Sequence, residues 1–545
     1  MSKSNPHSAT SLASTDAHWL APMKATHMSQ ANLSEEWRRH NLVQLKKMLQ
    51  NHRDEWTTAL NADLGKNACE ALCTEILITE KEIDHTLSHL KKWMTPKQVS
   101  GPAYNAVGFA QVERRPLRSP GVLVIGPSNY PLQLSIMPVV GSLAGGNPTV
   151  VKPSELCPAT SQLMANLVNK YFDPGVLQVV QGGIKETTAL LEHEWGLVFF
   201  TGSERVGRVV AAQAAKTLTP TVLELGGKSP AFVDEFAPSL PEVANRIIWS
   251  KTLNAGQTCV APDYLLVHEK HADTLCNELL KTLEKQFGSD PQHGELGRIV
   301  QTSHAQRHVD LLTEVEKSPS TKILCGGSRK CDPSSKYVCP TIVLNPPVDS
   351  RMLKEEIFGP ILPVIVVKSR QEAIDFINSI PGTPLAMYIF TSSAAAYQQM
   401  KDSCPSASAL RNDGIVQFAN VNLPIGGLGT SGYGNYHGQN SFDTFTHAFA
   451  SMYRPCFPGC DFGMLRYHPY TKTKAYLLTN HLMTLPYVPI VPWRGAMLLM
   501  ATVVVLKYLP TVQPVALFLK ENLATILENV VVWLRSESNK KAITK

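Results

Sequence analysis

The sequence predicts an α/β protein built on parallel, doubly wound sheets. Three observations carry this. Short apolar runs alternate with helical segments from Gly121 to Leu225, the pattern of strands joined by crossover helices. The alternation resumes after Ser229, which makes two such units. At 545 residues the chain is too long for one small core and has room for about three domains.

Composition narrows the function classes. Hydrophobic residues make up 43% of the chain and charged residues 18%, a globular balance. The net charge of +6 is mild for this length, and no basic stripe with interleaved aromatics occurs, which disfavours a nucleic-acid partner. The eleven cysteines are scattered without CxxC pairs, and neither Cys69/Cys73 nor Cys456/Cys460 has the histidines of a zinc site. Free thiols in a reducing compartment follow, with no metal implied.

Taken in order, residues 1–32 are rich in Ser, Thr, Ala and His, without a signal-like apolar core and without Arg. They read as a disordered arm. Ser34 caps a helix whose stripe is Trp37, Leu42, Leu45, Met48, Leu49, Trp56 and Leu60. A second helix runs through Leu72, Ile76, Ile83, Leu87 and Leu90 and stops near Trp93, ahead of Pro96. From Val112 to Arg118 the chain alternates as a ribbon that Pro116 confines to an edge. Buried strands are then expected at 121–125, 148–152, 176–180, 197–200 and 221–225. The second unit offers strands at 231–233, 264–267, 321–324 and 341–344, with helices leading to Cys259 and across 272–287. In such sheets ligands gather at the carboxyl ends of the strands.

The polar motifs sit at those ends. Asn254-Ala255-Gly256-Gln257-Thr258-Cys259 ends an amphipathic run from Val243 to Leu253. Leu223-Glu224-Leu225-Gly226-Gly227-Lys228-Ser229-Pro230 sets a carboxylate in an apolar strand, where lost solvation moves it towards a general base's range. A thiol with a nearby base is the minimum for covalent catalysis. Either stretch alone more often means a buried thiol and a salt-bridged glutamate. Phe199-Phe200-Thr201-Gly202-Ser203-Glu204-Arg205-Val206-Gly207 runs from strand through turn to helix; it is a pyrophosphate site or equally a tight turn. Lys152 and Glu155 end another strand, as a ribose-binding pair or a surface ion pair. Asn129, in Gly126-Pro127-Ser128-Asn129-Tyr130-Pro131, is an oxyanion donor or the start of an Asx turn.

Together these stretches resemble the signatures of the aldehyde dehydrogenase superfamily. The G-Q-x-C and L-E-L-G-G-K-S-P motifs fall in the family's order. Lys354-Glu355-Glu356-Ile357-Phe358-Gly359-Pro360 matches its E-E-I-F-G-P, and 420–432 its N-x-x-x-P-F-G-G-x-x-x-S-G, with Ile425 for the usual Phe. Tyr436-His437-Gly438, 441–447 and 256–264 are similar to the class 3 and fatty aldehyde branch. Ser128 departs from the family by standing where Trp is usual.

The resemblance implies an aldehyde dehydrogenase-like fold: two doubly wound α/β domains plus a small bridging β-sheet. The NAD(P)-binding domain would take 33–98 and 119–224, and the catalytic domain 225–432. Bridging segments at 99–118 and 433–455 would pair subunits into a homodimer, and 456–545 would be a tail. It assigns Cys259 as nucleophile, Glu224 as base and Asn129 as oxyanion donor. Lys152, Glu155, Gly202, Ser203, Val206, Gly207, Glu356 and Phe358 would bind the cofactor, NAD with NADP open. The implied reaction turns an aldehyde, medium- to long-chain or fatty, into its carboxylic acid.

The tail carries apolar runs at 495–506 and 508–519 and a stripe from Leu523 to Leu534. Neither run reaches the roughly 20 residues of a span. A hairpin or interfacial helix within 486–534 is expected to hold the protein on the cytoplasmic side of an organelle membrane such as the endoplasmic reticulum; a helix folded over the enzyme or a partner is the other reading. Two rival functions are weighed: a thioesterase or esterase using the same Cys–Glu pair, and a non-catalytic membrane scaffold.

Overall fold

A computed structural model describes residues 20–102, 109–454, 466–484 and 487–488. The tail runs beginning at 495 and the Cys456/Cys460 pair lie outside the described residues. No helix among the described residues is long and apolar enough to cross a membrane. The described residues up to Trp93 and Arg115–His447 make one compact unit; the described residues of Met94–Arg114 and those from Ala448 onward make a second.

The first unit holds two sheets. The first sheet takes β1 (Val122–Ile125), β2 (Thr149–Lys152), β3 (Leu177–Val179), β4 (Leu197–Thr201) and β5 (Thr221–Glu224). The second takes β6 (Pro230–Val233), β7 (Tyr264–His268), β8 (Lys322–Cys325), β9 (Thr341–Leu344), β10 (Ile361–Val367), β11 (Met387–Phe390) and β12 (Ala409–Arg411). A last short strand, β13 (Gly432–Tyr433), returns to the first sheet.

The first sheet runs β13-β5-β4-β1-β2-β3, parallel from β5 to β3. Every residue of β1, β2 and β4 is buried, as strands covered on both faces must be. Strand order reverses between β1 and β4, so the loops after them flank a crevice at the switch point. Asn129 follows β1, Gly202 follows β4, Lys152 ends β2 and Glu224 ends β5. All four therefore share one edge of the sheet.

The second sheet runs β8-β9-β10-β7-β6-β11-β12 and is parallel except for the β8/β9 edge pair. Its core gathers Ala231, Val233, Leu265, Val267, Val364 and Tyr388 against Val243, Ile247 and Ile248 of the helix Leu240–Thr252.

Two boundaries differ from the sequence reading. The arm expected through residue 32 contains a helix, Ala21–Ser29, with Pro22 in its first turn. Leu20 and Met23 are buried in the first sheet's core beside Trp195 and Val210, and this burial orders a segment of otherwise polar composition. The bridging segment expected from 433 begins later. Tyr433 pairs with Leu223, and Phe445 lies under Phe199, ring centroids 5.8 Å apart. Large aromatics at 436, 442 and 445 have a core to fill, which keeps 433–447 in the first unit.

The second unit contains a three-stranded sheet in which Phe109–Pro116 lies between Lys97–Val99 and Thr446–Tyr453. Lys97 pairs antiparallel with Val112 and Val99 with Ala110. The ribbon expected over 112–118 thus starts three residues earlier, at Phe109.

Candidate active site

The helix Leu240–Thr252 delivers the chain into a loop that no ordinary turn describes. Asn254, Ala255 and Gly256 have φ of 56°, 51° and 76°, three left-handed residues in a row of which only one is glycine. Such strain persists where the surroundings over-determine it. Here the Glu70 carboxylate accepts from Asn254 N (2.9 Å). Asn254 Nδ2 donates to the carbonyls of Asn129 (2.7 Å) and Gln257 (3.1 Å). Gln257 spans to the neighbouring loop, donating to Arg298 O and accepting from Val300 N, both at 2.9 Å. A Cβ on Gly256 would run into the Gly359 carbonyl, so only glycine lets the two loops meet.

From 254 to 261 every residue is buried except Cys259, which is half-buried. Cys259 is the one residue of this loop with more than marginal exposure. Burial pushes that thiol up to about 12, and the negative charge of Glu356 and Glu224 adds to the rise; the backbone N–H groups of Cys259 and Val260 work against it. A thiolate here therefore needs positive charge or a proton acceptor brought with the reactants.

Glu224 ends β5, buried, with Oε1 lacking any hydrogen-bond partner among the described residues. Burial raises its carboxyl well above the carboxylate range, and its charge acts on Cys259. A buried carboxyl with an unpartnered oxygen, within electrostatic reach of Cys259, has the properties of a general base. Asn129 Nδ2 donates to Gln257 O at 3.0 Å, which brings the expected oxyanion donor to the thiol's own loop. The structure thus brings Cys259, Glu224 and Asn129 together.

The residues that hold this arrangement were not singled out from sequence. Lys66 and Glu75 form an ion pair with no exposed surface. Lys66 Nζ donates to Asn129 O (3.2 Å), and Glu75 Oε2 accepts from Leu132 N (2.9 Å) and Gln133 N (3.2 Å). The pair clamps both sides of the Asn129 turn. A second buried pair, Lys228 with Asp263, ties three motifs: Lys228 Nζ also donates to Met352 O (3.0 Å) and Glu355 O (2.9 Å). Asp263 Oδ1 accepts from Ile357 N (2.9 Å). Tyr130 OH lies 2.7 Å from Thr258 Oγ1, and Tyr388 OH donates to Val260 O at 2.5 Å. Charges inside apolar stretches, such as Glu75 between Leu72 and Ile76, were the available signal.

On the other side of the crevice, Ser203 caps the helix Glu204–Ala215, its Oγ accepting from Val206 N at 3.4 Å. A Cβ on Gly202 would meet the Phe200 ring, and one on Gly207 would lie 2.6 Å from Leu225 Cδ2. Lys152 Nζ and Glu155 Oε2 are 2.8 Å apart. Partial burial pushes the Glu155 carboxyl up, but hydrogen bonds from Lys152 and from its own backbone, with the lysine's charge, bring it below its usual value. Glu356 accepts from Gly227 N at 3.2 Å, and burial, with Asp263's charge, raises its carboxyl to about 8. A cavity of about 160 Å³ is lined by Ser203, Gly226, Gly227, Glu356 and Thr430, among others. A Cβ on Gly226 would displace the Glu356 carboxylate from its place in that cavity. Phe358 follows on the same loop at φ 54°, anchored next to Ile357, whose carbonyl accepts from Arg307 (2.6 Å) and faces His308 Nε2 (2.9 Å).

Residues 10–449 match the Aldehyde dehydrogenase family. The chain is 40% identical to Aldehyde dehydrogenase family 3 member H1 of Arabidopsis thaliana over 81% of its length and 90% of the relative's. It is also 40% identical to the 4,4'-diaponeurosporen-aldehyde dehydrogenase of Staphylococcus aureus, covering 79% of this chain and 92% of that one. Among solved structures, the substrate-bound state of Staphylococcus aureus AldH superposes with a TM-score of 0.80 at 37% identity, covering 85% and 99% of the two chains.

Proposed function

This chain belongs to the aldehyde dehydrogenase family, and we propose that Cys259 is the nucleophile with which it oxidises aldehydes to carboxylic acids. NAD or NADP is the oxidant. The observation that carries the residue assignment is a half-buried Cys259 within electrostatic reach of a buried Glu224 carboxyl whose Oε1 has no partner among the described residues.

The cofactor's place is supported by the crevice. A glycine floor, the capped helix start at Ser203 and the Glu356 carboxylate suit a pyrophosphate and a ribose diol. Lys152 and Glu155 would hold the second ribose from the end of β2, and Val206, Gly207 and Phe358 would complete the walls. When bound, the oxidised nicotinamide supplies a hydride acceptor and a positive charge.

Cys259 Sγ gives its proton to a water molecule and attacks the aldehyde carbon, whose carbonyl oxygen becomes an oxyanion. Asn129 Nδ2 and the Cys259 N–H donate to that oxygen, held in place by the Lys66–Glu75 clamp. Loss of hydride from the carbon leaves a thioester on Cys259. Glu224 then takes a proton from water, the hydroxide adds to the thioester carbon, and collapse expels the Cys259 sulfur and releases the acid. The raised Glu224 carboxyl makes it a stronger base, once ionised, than an exposed glutamate.

A long-chain or fatty aldehyde is the substrate class we favour. The hydrophobic tail from 495 to 534 supports it, as does similarity to a relative named for a 4,4'-diaponeurosporen aldehyde. The same tail supports membrane association, and the small sheet of the second unit supports a homodimer. Absorbance of reduced nicotinamide, with hexanal and hexadecanal against NAD and NADP, tests the set. Comparable or faster turnover of hexadecanal is expected. Turnover of hexanal alone would remove the fatty-aldehyde reading, and turnover surviving Cys259→Ala would remove the nucleophile.

A further inference from the structure

Cys69 and Cys73 stand four residues apart at the start of the helical stretch that begins at Ala68, and both are exposed. The Cys73 thiol is raised above its ordinary value by local desolvation and by its interaction with Cys69. Between them, Glu70 accepts from Asn254 N at 2.9 Å, the strained residue that opens the Cys259 loop. From Leu72 to Ile76 the helix takes π geometry, and Glu75 of the Asn129 clamp lies in that turn. Two oxidisable side chains thus bracket the one carboxylate that this helix gives to the nucleophile loop.

We propose that Cys69 and Cys73 form a reversible disulfide site whose closure disturbs the Glu70–Asn254 contact. The effect on turnover rests on the assignment of Cys259 as nucleophile; the disulfide itself does not. Hydrogen peroxide is the oxidant. The Cys69 sulfur attacks the peroxide oxygen, the O–O bond breaks, and water leaves with a sulfenic acid on Cys69. The Cys73 sulfur then displaces its hydroxyl as a second water, so that two thiols and one peroxide give one disulfide and two waters.

Geometry makes closure consequential. Residues four apart on a helix hold their Cβ atoms roughly 5–6 Å apart, whereas a disulfide needs about 3.5–4.5 Å. The turn must tighten against the bonds that Asn67 accepts from Cys69 N (2.8 Å, side chain) and Ala71 N (2.9 Å, carbonyl). Glu70 lies inside the tightened segment.

The full-length protein, treated with graded hydrogen peroxide and then with dithiothreitol, provides the test. Peptide mapping should show a loss of about two mass units within the Cys69–Cys73 peptide, before Cys259 is oxidised. Turnover should fall about tenfold and recover on reduction, the scale of one lost charged hydrogen bond. Cys69→Ser and Cys73→Ser should keep basal turnover and lose this reversible component. A Cys69–Cys73 peptide that stays a dithiol while turnover falls would overturn the proposal. So would an unchanged reversible loss in both serine variants.

Discussion

The charges around Cys259, the proposed nucleophile, are of two kinds. Lys66–Glu75 and Lys228–Asp263 are buried ion pairs, each of which also bonds the backbone of a functional turn. Glu224 is equally buried, but among the described residues its Oε1 has no hydrogen-bond partner and the carboxylate no ionic one. Burying a charge is costly unless it is paired, so each departure from pairing marks a place where something else is gained. The paired groups fix geometry. The unpaired one is left for a proton.

Breaking the chemistry should cost most. Glu224→Gln should leave one rapid equivalent of reduced nicotinamide per site and then stop, because acylation does not use this carboxyl in the proposed sequence. A loss of about 10³-fold in steady turnover is expected, read by stopped-flow absorbance. A steady rate within tenfold of wild type would mean that another group activates the water.

Breaking a pair should act through stability first. Glu75→Ala leaves the Lys66 ammonium buried without its partner, at a cost of about 3–5 kcal/mol, measured by urea unfolding. Lys66→Met with Glu75→Leu should restore much of that stability and little of the activity, since Asn129 would still lack its clamp. Recovery of both together would assign the pair no role in positioning.

Glu356 sharpens the comparison, being tethered by Gly227 N–H yet raised to about 8. Its folded-state pKa lies above the ordinary 4.5, so between those values the folded protein holds more protons than the unfolded. Stability of the cofactor-free protein should therefore fall as pH rises through that window. Glu356→Gln should flatten the fall in melting temperature between pH 5 and 8. An unchanged slope would show that other groups set it.

The smallest effect belongs to the far side of the crevice. Ser203→Ala removes one helix cap, worth about 1 kcal/mol, and should weaken NAD binding several-fold by fluorescence titration without altering the acylation burst at saturating cofactor.

The sequence by itself determined the elements and the chemistry carried by contiguous motifs. Hydrophobic alternation placed β1 to β5 within a residue or two, because both faces of a parallel strand must be apolar. Ser34 was legible as a cap and accepts from Trp37 N as expected. Cys259, Glu224 and Asn129 were singled out because each sits in a motif whose local pattern is unusual, and their proposed roles start from that. Only the tertiary structure decided what those motifs rest on. Glu75 meets the turn at Leu132, Lys228 meets Met352, and Glu70 meets Asn254, pairs separated by 57 to 184 positions. No local period encodes a partner that far away. The helix Ala21–Ser29 and the aromatic segment 433–447 were misjudged for the same reason. Composition reports what a segment can bury, and only the fold supplies the surface that buries it.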